Sequence, residues 1–239
     1  MNRKKRLIIE GVILGAIIAG VFIFAFWGRK SHTDKFGDLT DDIYNSSKED
    51  ESMDDSAYDN LYVCQCPSGI VGNLTKLWEE ALPQSQFIVS CTVTEGQEPA
   101  FGGVRAKVKI ETVHQGQGLK TGDEVYITNE SWLLRQDGEK VYVEFKFHNL
   151  MKPGERYLLF LSEHLSVSEE IYGDTYEMEG FTIAPIFLYE DRENKIVDSF
   201  DNYVPYKNLK DNEVYFSSEE DLKIYLEFKK KMVEEYPFN

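Results

Sequence analysis

Basic residues are scarce in this chain of 239 residues, where 26 lysines and arginines stand against 42 aspartates and glutamates, a formal net charge of −16. A nucleic-acid partner needs cations concentrated on one face to neutralise phosphates. After residue 30 the only such run is Lys229-Lys230-Lys231, which reads better as the cationic end of a helix. The charge balance therefore excludes a nucleic-acid binder. Also missing are a G-x-S-x-G elbow, an H-E-x-x-H pair and a phosphate loop. Gly116-x-Gly118 has no helix pattern behind it and belongs to a turn, and Glu169/Glu170 and Glu177/Glu179 read as solvated acids of an acidic chain. No catalytic residue and no cofactor are assigned, and the chain is not read as an enzyme. The four histidines, His32, His114, His148 and His164, are scattered, and none stands at ligand spacing from a cysteine, so no metal site is assigned.

Apolar residues dominate one segment. Arg3-Lys4-Lys5-Arg6 precedes residues 7–27, "LIIEGVILGAIIAGVFIFAFW", in which Glu10 is the only ionisable side chain. A helix crosses a bilayer with about 20 mainly apolar residues. The reading is a cytoplasmic basic stretch at 1–6 and a single transmembrane helix at 7–27, with Trp27 at the far interface. The cationic end stays in the cytoplasm and the rest of the chain lies outside. A cleaved signal peptide is the competing reading, but the segment exceeds a usual h-region and "FAFWGRKSH" offers no A-x-A-like cleavage site. Gly11 and Gly15 stand at a spacing that lets two helices approach, although such spacing is common by chance.

Residues 28–60 form an acidic linker. Between positions 31 and 60 ten acidic residues face two lysines, and apolar surface is too sparse to offset the entropy of ordering. The expected state is a disordered spacer with a reach of about 30 Å.

From residue 61 to 239 the pattern is mostly period two. Phe87, Val89, Cys91 and Val93 alternate with polar neighbours, as do Val104, Ala106, Val108 and Ile110, and then Val141, Val143, Phe145 and Phe147. Such alternation marks half-buried antiparallel strands. Shorter strands are expected at 124–128 and 176–183. "YLLFL", 157–161, is apolar throughout and is expected to be covered on both faces. The spacing predicts a short helix over 74–82, ending at Pro83, and a C-terminal helix capped by Ser218 with Asp221 three residues on. "GQGLKTGD", 116–123, and "MKPGER", 151–156, supply turns. Mainly β, then: a small closed antiparallel barrel or sandwich with flanking helices.

"YVCQCPSG" carries Cys64 and Cys66, and Cys91 lies on the first strand. Outside a membrane, thiols tend to be oxidised, and all three pairings of Cys64, Cys66 and Cys91 are open. A bridge from the CQC segment to Cys91 would close a loop of about 25 residues and contribute about 3 kcal/mol. The alternative for Cys91 is a small buried hydrophobe. A redox dithiol usually has C-x-x-C at a helix start, which is absent here.

Cys64-Gln65-Cys66-Pro67, followed by "SQFIVSCTV", "VKIETVHQGQGLKTGDEVYI" and "PGERYLLFL", resembles the tissue inhibitors of metalloproteinases and their netrin-like bacterial relatives. The resemblance covers residues 64–183 and implies an OB-fold barrel with the C-x-C pair at its edge. The expected contact surface is the CQC edge, Cys64, Gln65, Cys66 and Pro67, with its adjoining loops. In the animal inhibitors the first cysteine is the mature N-terminus and chelates the target's zinc. Here Val63 and the linker precede Cys64, so inhibition of an extracellular protease by that route requires cleavage before it. The preferred expectation is a membrane-anchored extracytoplasmic module that binds a protein or an envelope component. The alternatives are a metalloprotease inhibitor processed to Cys64 and a thiol-disulfide protein using Cys64 and Cys66.

Overall fold

The computed structural model describes residues 59–100, 103–129, 133–137, 139–144, 146–165, 173–197 and 202–238. The expected membrane helix at 7–27 and all but the last two residues of the acidic linker lie outside these, as does His32. Among the described residues no helix is long and apolar enough to cross a membrane.

Among the described residues, ten strands and two α-helices follow in order: β1 Leu61–Cys64, α1 Val71–Ala81, β2 Phe87–Ala100, β3 Gly103–Gln115, β4 Glu124–Asn129, β5 Leu133–Asp137, β6 Lys140–Glu144, β7 Arg156–His164, β8 Thr175–Met178, β9 Ile186–Leu188, β10 Tyr203–Pro205 and α2 Glu219–Glu235. Strands β2, β3, β4, β8 and β7 pair in that order, and β7 returns to β2, so five strands close into a barrel. Strand β9 pairs with β7 over Tyr157 to Leu159, next to β8, and sends Ile186 and Leu188 into the barrel.

The alternation read in the sequence sets the walls. Phe87, Val89, Cys91 and Val93 of β2, Ala106, Val108 and Ile110 of β3, and Val125 and Ile127 of β4 all fill the barrel interior. In β7, Tyr157, Leu159 and Leu161 point into the barrel, while Leu158 and Phe160 point outward into a second apolar cluster. The continuous run is thus buried on both faces, as its composition requires. That second cluster is roofed by Val71, Leu74 and Trp78 of α1 and by Tyr225, Phe228 and Met232 of α2. Trp78 anchors it, with Phe228 at 5.5 Å and Phe187 edge-on at 5.7 Å between ring centroids.

Four expectations are corrected. The barrel is not wholly antiparallel, since β4 and β8 pair in parallel, a register that the long intervening chain permits. The strand read at 140–147 stops at Glu144, because Lys146 and Phe147 take φ of 50° and 58°, which no strand residue adopts. It belongs to a separate four-stranded sheet of order β10-β1-β6-β5. The strand expected at 176–183 is only Thr175–Met178. Finally, the first helix begins at Val71, three residues before the expected start.

The turn at 116–123 joins β3 to β4, and Gly116 has φ of +113° with the Phe87 ring so close that a Cβ there would collide with it. That position requires glycine. At the start of α2 the Ser218 hydroxyl accepts from Asp221 N at 3.4 Å. Asp221 does not complete a reciprocal box; its Oδ2 accepts from Gly69 N at 2.7 Å and so ties the chain after β1 to the helix.

Candidate functional site

Strand β1 alternates: Leu61 and Val63 are buried, while Tyr62 and Cys64 face outward and are half-buried. Beyond it the chain is clamped along the segment that leads into α2. Cys66 N donates to Tyr215 O at 2.7 Å, Ser217 Oγ donates to Cys66 O at 2.8 Å, and Gln65 Nε2 donates to Phe216 O at 3.3 Å. Gln65 and Cys66 are in consequence only 2% and 1% exposed. Of the expected contact edge, Pro67 and half-buried Cys64 reach the surface; Gln65 and Cys66 do not.

All three cysteines are free thiols. Cys91 faces the barrel interior and Cys66 lies in the cluster outside the wall, so the strand that carries Cys91 also separates them. Of the two readings of Cys91, the geometry fits the small buried hydrophobe and not the bridge, since period two turns its side chain into the barrel while Cys66 lies outside the wall. Burial pushes the Cys64 thiol up to about 11, with a smaller contribution from Glu144, and the Cys66 thiol up to about 12, with contributions from Asp221 and Cys64. Burial raises Cys91 further. A reactive thiol needs its thiolate stabilised, and these surroundings do the opposite.

Outward residues of the four-stranded sheet form a column of tyrosines. Tyr62 lies opposite Tyr142 in the parallel register, with ring centroids 5.3 Å apart and planes at 28°. Tyr203, on the far side of β1, meets Tyr142 edge-on at 5.1 Å, and its hydroxyl donates to Glu144 Oε1 at 2.5 Å. The Lys140 ammonium lies 5.2 Å from the Tyr62 ring centroid. Cys64 shares this face, whereas Val63, Val143 and Val204 back it from within.

Two polar clusters lie elsewhere. Ser90 Oγ is 2.7 Å from His114 Nε2 and 2.5 Å from the Tyr189 hydroxyl, a pairing that invites comparison with a nucleophile and its base. Proton accounting argues against that role. Tyr189 spends its single hydrogen on the Tyr236 carbonyl at 2.6 Å, so Ser90 donates to Tyr189 and His114 donates to Ser90. The Nε2 that would act as base already carries a proton.

The second cluster surrounds Glu213. Its Oε2 accepts from Lys229 Nζ at 2.5 Å, and its Oε1 accepts from Leu188 N at 3.1 Å and Tyr225 Oη at 3.2 Å. His148 Nδ1 donates to Asn149 O at 2.7 Å, which leaves Nε2 as the bare nitrogen, 3.9 Å from Glu213 Oε1. Burial pushes the imidazole down to about 4, helped by Lys229 and Arg192. Burial also raises Glu213, against the pull of Lys229. Both side chains of the ion pair are almost fully enclosed. These groups close the free edge of β9, where Leu188 N, Ile186 O and Glu190 O meet Glu213, Tyr225 and Lys229 in turn. Among the described residues, no group of three or more histidine, cysteine, aspartate or glutamate side chains is placed to hold a metal ion.

The tyrosine column escaped the sequence reading because its members come from three short strands far apart in the chain. The one available signal was the alternation in Tyr62-Val63-Cys64 and Tyr142-Val143-Glu144. Comparison of the chain with protein-family models and with characterised proteins finds no match.

Proposed function

We propose that this chain is a non-catalytic binding module, held to the outer face of a membrane by residues 7–27, which recognises a protein or envelope component through the tyrosine face of its four-stranded sheet. One observation carries this reading: Tyr62, Tyr142 and Tyr203 form a contiguous, half-exposed column with Glu144 and Lys140 at its margins and Cys64 beside it. Tyrosine offers large rigid contact area with a polar tip, and it is enriched in protein interfaces. The closed five-stranded barrel is consistent with an OB-fold-like domain.

The other readings lose ground on physical arguments. Inhibition through a free amine at Cys64 needs cleavage that strips Leu61 to Val63 from the middle of a sheet, between β10 and β6. Thiol-disulfide exchange needs a stabilised thiolate, and both candidate thiols are held protonated.

The test uses the full-length protein in its own membranes, with a photo-crosslinking side chain at position 142. The expected result is one dominant adduct, whose yield falls about tenfold, the equivalent of about 1.4 kcal/mol, in Tyr62→Ser with Tyr203→Ser. Unchanged yield in that double variant, with its thermal transition intact, overturns the assignment of the face. A reporter fused after Asn239 that proves cytosolic overturns the location.

A further inference from the structure

The fold carries a second surface feature that the tyrosine face does not explain. Tyr236 closes α2, its N–H donating to Met232 O at 2.9 Å, and Pro237 then forbids another helical turn. The tail turns onto the barrel wall. The Tyr236 ring stands edge-on to His114 at 5.4 Å and to Phe160 at 5.7 Å. Phe238 stands edge-on to Tyr189 at 5.2 Å and lies under the Arg156 guanidinium at 4.9 Å. Arg156 is held in place by Glu190, whose Oε1 accepts from its Nε at 2.5 Å.

Beneath these rings runs the hydrogen-bond relay from His114 through Ser90 to Tyr189. Its last member, the Tyr189 hydroxyl, donates to a peptide carbonyl, that of Tyr236. Ser90 is fully buried and its hydroxyl serves nothing but this relay. A side-chain hydroxyl that donates to a main-chain carbonyl, a pinned cation over one aromatic position and an aromatic wall at the other are the parts of a peptide-recognition site.

We infer that the wall formed by His114, Arg156, Phe160 and Tyr189 is a binding site for peptide segments of the sequence type aromatic-proline-aromatic. The chain's own Tyr236-Pro237-Phe238 fills it in cis, and a partner protein presenting the same chemistry displaces that tail. Displacement is cheap in contacts, since the tail is half-exposed and only the last turn of α2 has to yield. Tyr189 also lines an open cleft of about 790 Å³ against Leu222, Leu226 and Val233, which gives room for a ligand longer than the tail. A tethered tail acts at an effective concentration in the millimolar range, so the intact chain resists a competing peptide.

The probe is a fluorescent peptide of residues 232–239, MVEEYPFN, titrated by anisotropy against the detergent-solubilised full chain and against the same chain ending at Glu235. The peptide is expected to bind the shortened chain at least tenfold more tightly than the intact one. Arg156→Ala and Tyr189→Phe in the shortened chain should each weaken it about fivefold or more. No binding to a shortened chain that keeps its thermal transition, or equal binding to both chains, overturns the inference. Should the shortened chain fail to fold, Phe238→Ala in the intact chain loosens the tail instead, and peptide affinity equal to that of the unmodified chain overturns it equally.

Discussion

Lys229 and Glu213 illustrate how one buried pair governs several backbone groups at once. Lys229 neutralises Glu213 and also donates to Glu190 O at 3.1 Å, so removing it strands a carboxylate and a carbonyl together. Lys229→Met is expected to cost about 3–5 kcal/mol, read from the urea midpoint. Replacing both partners by apolar residues should recover only part of that, because Leu188 N would still lose its acceptor. His148 adds a pH term. Its imidazole is pushed down to about 4 in the fold, below its unfolded value, so the unfolded chain binds the proton first. Its contribution is complete above about pH 6.5 and disappears as the pH falls towards 4. Glu213, raised by burial, has the opposite sign and offsets some of this at the acid end. Thermal unfolding between pH 7 and 4 should therefore show a loss of stability that His148→Gln reduces. An unchanged slope in that variant would remove His148 from the account.

At the scale of the element, β1 is the piece whose removal is most informative. It is four residues long, yet it pairs with β10 on one side and β6 on the other, and it buries Leu61 and Val63. A chain that begins at Cys64 keeps every barrel strand and loses the centre of the second sheet. Burying those two side chains is worth about 1.5–3 kcal/mol each, so the shortened chain is expected to lose several kcal/mol in denaturant. Full retention of stability would reopen the inhibitor reading. Strand β1 was also hard to see in the sequence. Four residues with two apolar positions carry little periodic signal, and the same holds for β9 and β10, each of three residues. The long strands β2, β3 and β7 were legible because alternation, or its absence in "YLLFL", repeats over enough positions to fix which face is covered. The edge-closing role of Tyr225, Lys229 and Glu213 was not legible. It depends on where α2 crosses β9, and helical spacing alone cannot give that.

Across the whole molecule, the sequence conveys the layers better than the connections between them. The alternation of Phe87 to Val93 indicated an interior wall, but only the structure shows Cys91 and Cys66 on opposite sides of it. The candidate surface follows the same rule: Tyr62, Tyr142 and Tyr203 become neighbours only through pairings of strands far apart in the chain. Tyr62 and Pro205 are register partners in the finished sheet. During synthesis, then, the ribosome must release nearly the entire polypeptide before β1 meets β10, and the barrel itself stays open until Thr175 reaches Tyr126. Pairings so distant make for sluggish folding, on the scale of milliseconds to seconds, with bare strand edges in the meantime. Maturation of a nascent chain of this topology is paced by the arrival of its final third.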